Sequence, residues 1–245
     1  MIDLEVIMKK EILQILQKIN EAQDPIEIEK LITKALEIDE HDPMVLLLAA
    51  EFSHDLYERL SFLDHGIQHL EQTLYEEGLF DEENIHQIND HPLGALLIKK
   101  LKLRFNTFMD LDYYHQAIAE YIQILNLEEN DSIEDERAIL ASLYIKQYEL
   151  AHEIFDSYET APFTIAFPYS IILHQMGHQK EAQDIIYNLI DYVPNFKTFF
   201  TQLSYDETPL PQSEEDFILL NTILATLNLI PEDFLNIINI NSYHN

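Results

Sequence analysis

The sequence predicts an all-α protein, a right-handed stack of antiparallel helix pairs with irregular pairs before and after three central repeats. Three observations predict it. Glycine occurs only four times in 245 residues, which disfavours tight hairpins, phosphate loops and dinucleotide-binding turns, since all of these use glycine's conformational freedom. Apolar side chains recur at three- and four-residue spacing along most of the chain, the period of a helix with one buried face. Ala117, Ala151 and Ala182 stand 34 and 31 residues apart, and a fixed period of that size marks a repeated two-helix unit.

The elements follow in order. Ile12, Ile15, Leu16 and Ile19 share one face of a first helix, and Asp24-Pro25 opens a second that carries Ile28, Leu31, Ile32, Ala35 and Leu36. Asp before Pro is a helix-start signal, because the carboxylate accepts from free amides and Pro needs no donor there. The acidic turn Asp39 to Pro43 precedes a third helix expected from Met44 to about Leu60, with a fourth from Phe62 to Tyr75 closed by Glu77-Gly78. Residues 81–92 read as an irregular link holding one short helical turn.

The repeats come next. Four residues after each alanine stands a large side chain (Tyr121, Phe155, Ile186), and three later another (Ile124, Tyr158, Leu189). Alanine admits a close helix crossing and the larger residue one turn on fills the next gap. Asp112-Tyr113-Tyr114, Gln147-Tyr148-Glu149 and Gly177-His178-Gln179 mark the turns before these helices. Pro194 ends the last of them, and Glu129 holds the equivalent place after Ala117. A short helix from Asn195 to Leu203 leads to the breaker Thr208-Pro209-Leu210-Pro211. Ser213 then caps a helix with three acids in its first turn, and Pro231 starts a last helix through Ile240. The expected organisation is one helical-repeat domain over 1–245: helix pairs in 1–80, repeats in 92–194 and capping helices in 195–241. Neighbouring repeats share buried faces, so such a domain should unfold as one cooperative unit.

Charge and composition narrow the function. Fourteen basic against 45 acidic residues give a net charge of −31, which repels phosphate backbones and anionic lipid and suits solvated helix faces, a basic partner or a cation-binding face. Cysteine is absent, excluding disulfides and thiolate metal sites and suiting a reducing compartment. Acids at Asp3 and Glu5 stand where a secretion signal would carry lysines, and the least polar stretch, Phe217 to Pro231, is interrupted by Asn221, Thr222, Thr226 and Asn228. The expected location is the cytoplasm, with neither nucleic acid nor membrane as partner.

The 34-residue period, the Ala–large–apolar spacing and the terminal Pro make the chain resemble tetratricopeptide repeat (TPR) proteins. Over about residues 70–240 it is similar to the bacterial suppressor-of-tumorigenicity type. That likeness rests on His91-Pro92, Ala117-Ile118-Ala119-Glu120-Tyr121, Leu127 to Asp131, Arg137, Tyr192-Val193-Pro194-Asn195-Phe196 and Ser213 to Asp216. The resemblance implies a TPR-like α-solenoid and a non-catalytic scaffold that holds a protein or peptide in a concave groove lined by the first helix of each repeat. It implies no catalytic residue and no cofactor.

One variety of that family grips a peptide carboxylate with Lys and Asn one turn apart, and Lys102 and Asn106 have this spacing, with Lys99 a turn earlier. An ammonium and an amide on one face can both donate to a carboxylate, and the alternative is that these basic residues neutralise nearby acids. The next repeat offers Glu136 and Arg137 at the groove-facing step, and the third Thr164, Phe167 and Pro168. The candidate peptide-binding residues are thus Lys99, Lys102, Asn106, Arg137 and Phe167, for a partner that is basic overall with an acidic or carboxylate anchor. Phe163, Phe167, Tyr169, Tyr192, Phe196, Phe199 and Phe200 could line the groove's C-terminal end or fill the seams between helices. Two alternatives stand beside the scaffold: a metal-assisted hydrolase using His65/His69 or His174/His178, whose i, i+4 spacing can place two rings on one metal, and a peptide-sensing regulator. Neither histidine pair carries the intervening Glu of a His-Glu-x-x-His motif.

Overall fold

The structure is a computed structural model and describes residues 10–81, 84–128, 132–204, 207–234 and 237. Among these residues every regular element is helical. The chain divides into two compact units, residues 1–129 and 130–245.

The first unit contains α1 (Lys10–Glu21), α2 (Pro25–Ile38), α3 (Pro43–Phe52), α4 (Leu56–Glu76), a 3-10 turn (Ile85–Asp90), α5 (Pro92–Asp110) and α6 (Tyr114–Leu127). Each helix packs on the next in sequence. Asp24 accepts from the Ile26 amide, and Asp42 from those of Met44 and Val45, each just ahead of a Pro at a helix start. Ile12, Ile15, Ile19, Ile32, Ala35, Val45 and Ala49 form one apolar cluster.

The third and fourth helices differ from the sequence expectation. Helix α3 stops at Phe52 and α4 begins at Leu56, so the break lies at Ser53-His54-Asp55 and not near Leu60. Asp55 accepts from the amides of Tyr57 and Glu58, and the Ser53 hydroxyl donates to Glu58 at 2.7 Å. These two side chains supply a cap that the continuous apolar pattern obscures. Gly94 seats the 3-10 turn on α5. A Cβ there would stand 1.9 Å from the Ile88 carbonyl oxygen, leaving space only for hydrogen.

The second unit contains α7 (Ser132–Ile145), α8 (Tyr148–Asp156), α9 (Phe163–Gln175), α10 (Gln179–Tyr192), α11 (Phe196–Ser204) and α12 (Glu214–Thr226), followed by a 3-10 turn (Leu227–Leu229). Helix α7 packs on α8 and on α9, α8 also packs on α9, and α9 packs on α10 and α12. Residues Ile165 to His174 of α9 are all buried, so this helix is enclosed on every side. Tyr158, expected inside a repeat helix, lies beyond the end of α8, and its hydroxyl donates to Asp135 at 2.7 Å. The Ser157 hydroxyl donates to the Ile154 carbonyl and helps to end α8 early. Glu129 and half of the helix expected from Pro231 to Ile240 lie outside the described residues.

The same turn precedes α6, α8 and α10. Asp112, Lys146 and Gly177 hold left-handed conformations, at φ of 58°, 61° and 87°. In each, the next amide reaches five residues back: Tyr113 to Phe108, Gln147 to Ser142 and His178 to Leu173, at 2.8–2.9 Å. That bond closes the preceding helix in a Schellman turn. Ala117, Ala151 and Ala182 follow at the fourth helical position and are fully buried. The period in the sequence thus corresponds to a repeated backbone geometry, although only one of the three turns carries the glycine that accepts it without strain.

Candidate functional site

Helix α5 carries the chain's densest basic cluster, and its charges are met within the first unit. Lys100 is buried, and its ammonium donates to the Leu47 carbonyl at 2.8 Å and to Glu51 at 2.7 Å. Lys99 reaches the same Glu51 oxygen at 2.7 Å. Burial would push the Glu51 carboxyl up, but the ammonium groups of Lys100 and Lys99 outweigh it and hold it below the usual range. Burial lowers Lys100 in spite of Glu51. Arg104 makes a two-pronged contact with Glu120, at 2.9 and 3.0 Å, and reaches Asp64 at 3.1 Å.

The proposed carboxylate grip has the same character. Lys102 pairs with Glu128, and the Asn106 amide donates to the Lys102 carbonyl at 2.9 Å. Lys99, Lys102 and Asn106 therefore share one helix, with the two ammonium groups on separate carboxylates of this chain. Arg137 and Phe167 belong to the second unit.

The second unit holds an open groove in two chambers. The larger, of about 510 Å³, lies among Glu136 of α7, Pro162, Phe163 and Thr164 at the start of α9, the turn Val193-Pro194-Asn195, and the α12 end with Ser213, Glu215, Asp216, Ile218 and Leu219. The smaller, of about 220 Å³, shares Glu136 and Thr164 and adds Arg137, Leu140, Pro168, Asn221, Thr222 and Ala225. Of the sequence-derived candidates, Arg137 lines this groove and Phe167 does not. Phe167 is sealed beneath it, with ring centres 5.9 Å from Phe163, 5.3 Å from Phe196 and 6.1 Å from Phe200. On a nearly all-buried helix a groove-facing step and a core-facing step look alike in sequence. Tyr169, Phe196, Phe199 and Phe200 are also buried, so these aromatics fill seams, and Phe163 is the ring that reaches the groove.

Local chemistry builds the larger chamber. Asn195 is left-handed at φ 64°, and its amide donates to Asp216 at 2.9 Å. The other Asp216 oxygen accepts from the Gln212 amide at 3.0 Å, while Ser213 caps α12 by accepting from the Asp216 amide. This knot ties the turn after α10 to the start of α12. The Asn195 amide, then the Gln212 amide, hold the Asp216 carboxyl below its ordinary range, so it stays charged near neutral pH. On the opposite wall the Thr164 hydroxyl donates to Glu136 at 2.7 Å. Pro168 has no amide proton for the Thr164 carbonyl, the partner a helix would otherwise give it. The chamber is thus mainly apolar, with carboxylates at its polar edges.

Sequence reasoning missed Asn195, Glu215, Ile218 and Leu219 as groove residues. A signal was present: Pro194-Asn195 ends one helix, and apolar residues follow closely on the acidic first turn of α12. The spatial link between the two was not legible.

The histidine pairs diverge. His65 Nδ1 lies 2.7 Å from the Ser61 carbonyl oxygen, and His69 is exposed on the same helix. His174 is buried with Nε2 3.1 Å from Asp233, whereas His178 faces Glu181 at 3.2 Å. Among the described residues no three His, Asp or Glu side chains are grouped to hold a metal ion, and no helix is long and apolar enough to cross a membrane.

Comparison with protein-family models, with curated proteins and with solved structures gives no match to this chain.

Proposed function

We propose that the chain is a non-catalytic helical-repeat scaffold of the TPR kind that holds a peptide or protein segment in the groove of its second unit. The repeat reading is supported by the three matching turns, by the buried alanines at one helical position, and by the packing of α7 on both α8 and α9. In a TPR stack the first helix of one repeat touches its own partner and the first helix of the next.

The observation that carries the binding role is the groove itself. Its larger chamber has the size and apolar wall of a site for one or two side chains. The occupant is a peptide segment, because the groove continues from one chamber into the next along α9.

Panning a random peptide library on the full chain tests this. Enriched peptides should compete with one another, and Ile218→Trp, which fills the larger chamber from a position 47% exposed, should abolish their binding without lowering the melting temperature. An empty selection, or peptides that bind Ile218→Trp equally well, would overturn the proposal.

A further inference from the structure

The polar edge of the larger chamber is one-sided in charge. Glu136, Glu215 and Asp216 bring three carboxylates to it, and among the described residues no Lys or Arg lines it, Arg137 standing in the smaller chamber. Asp216 is committed to Asn195 and Gln212, and Glu136 gives one oxygen to Thr164. Glu215 is exposed at the mouth. The surroundings reinforce this sign, since the second unit holds four basic residues (Arg137, Lys146, Lys180, Lys197) against eighteen acidic ones. The walls, including Pro162, Phe163 and Ile218, are apolar. A ligand that fits both must carry an apolar body and a cationic head.

Resting on the peptide-binding reading above, we infer that the larger chamber takes a basic–apolar peptide motif, an apolar side chain beside a Lys or Arg whose charge meets Glu136 and Glu215. A lysine or arginine stem can lie along the apolar wall while its head reaches the carboxylates. The Phe163 ring adds a face that attracts cations. The negative field of the unit raises the encounter rate for such a peptide and opposes acidic competitors.

The test uses the full chain and three fluorescein-labelled heptapeptides, acetylated and amidated. Each carries Leu-Phe at its centre, flanked by two lysines, two glutamines or two glutamates, and binding is read by fluorescence polarisation. The lysine peptide should bind best and lose affinity on going from about 0.05 M to about 0.5 M salt. The double variant Glu136→Gln/Glu215→Gln should weaken it by about tenfold, the sum of two modest exposed pairs. Glu215→Lys should narrow the preference for the lysine peptide and raise affinity for the glutamate peptide, a gain that an unfolded variant cannot give. Equal binding of the three peptides, or no change in preference in Glu215→Lys, overturns the inference. If the lysine peptide fails while library-selected peptides still bind and are lost in Ile218→Trp, only the charge assignment falls. If both fail, the scaffold reading falls with it.

Discussion

Helix α5 in the first unit and helix α9 in the second are both central, but they solve burial differently. Helix α5 carries Lys100 and Arg104 inward and satisfies each with acids from other helices, Glu51 from α3 and Glu120 from α6. Helix α9 buries ten consecutive residues, and its interior polar groups meet mixed partners: Ser170 donates to the Phe167 carbonyl at 2.6 Å, the Tyr169 hydroxyl lies 2.6 Å from His152 Nδ1, and His174 faces Asp233. The contrast follows from where the few cations lie. With Lys99, Lys100, Lys102 and Arg104 clustered on one helix, acids of the first unit are drawn inward to meet them. The second unit has few cations to spend: buried Asp135 accepts from the Tyr158 hydroxyl and buried Asp216 from Asn195 and the Gln212 amide, while exposed Glu215 edges an apolar groove. The cations of α5 are consumed by the fold, and Glu215 at the groove of the second unit remains exposed.

The largest effect should come from breaking the buried pair. Glu51→Ala leaves Lys100 enclosed with only the Leu47 carbonyl and should cost about 3 kcal/mol in urea unfolding. Hydrogen exchange should show the protection lost within residues 43–127, and a loss spread evenly over both units would erase the contrast between them. The pH dependence has a definite sign. The folded Glu51 carboxyl lies below its ordinary value of 4.5, so its contribution is present above that pH and is lost as pH falls through the lowered value. The gap between the parent chain and Glu51→Ala should therefore narrow below about pH 4.5.

The second unit depends on fit, not charge, and Ala151→Leu tests this. Ala151 is fully buried, and the added volume should overpack the crossing at a cost of about 1–3 kcal/mol, independent of salt. A strong salt dependence of that loss would contradict the apolar account.

A smaller effect of opposite sign is expected at Lys146, which holds φ 61° where Gly177 stands in the next repeat. Lys146→Gly relieves a left-handed lysine but loosens the unfolded chain, for a net gain of up to about 1 kcal/mol in thermal or urea unfolding. A destabilised Lys146→Gly would mean that the lysine side chain contributes more than its backbone costs.

The smallest effect on binding should be that of Lys102→Glu. Lys102 and Glu128 are each only about a fifth exposed, so reversing the charge should lower the melting temperature, but it should leave binding of the lysine peptide unchanged. A lost peptide signal would return the carboxylate grip of Lys102 and Asn106 to the first unit and make α5 a binding helix.

Much of this architecture was legible before any coordinates. Asp24-Pro25, Asp42-Pro43 and Ser213 mark their helix starts because a cap is a local device made by residues within three positions of one another. The alanine period is legible because each repeat must meet the same close crossing. The break at Ser53 to Asp55 was not legible, since apolar spacing continues across it and only the hydrogen bonds of Asp55 and Ser53 show that the helix stops. Left-handed Asp112 and Lys146 were equally hidden, because the pattern there lies in backbone geometry and not in residue type.

By itself the sequence determined an acidic, cysteine-free, helical chain whose central turns recur with a period near 34 residues, since composition and helical spacing act over short range. Only the tertiary structure decided which charges are spent and which remain. Lys100 could not be known to be buried until Leu47 and Glu51 closed on it. Phe167 and Phe163, one turn apart on the same helix, could not be told apart until neighbouring helices enclosed the first and left the second at the groove. The groove itself joins residues 136 to 225 through contacts that no local pattern encodes, because distant helices meet according to how their side chains pack.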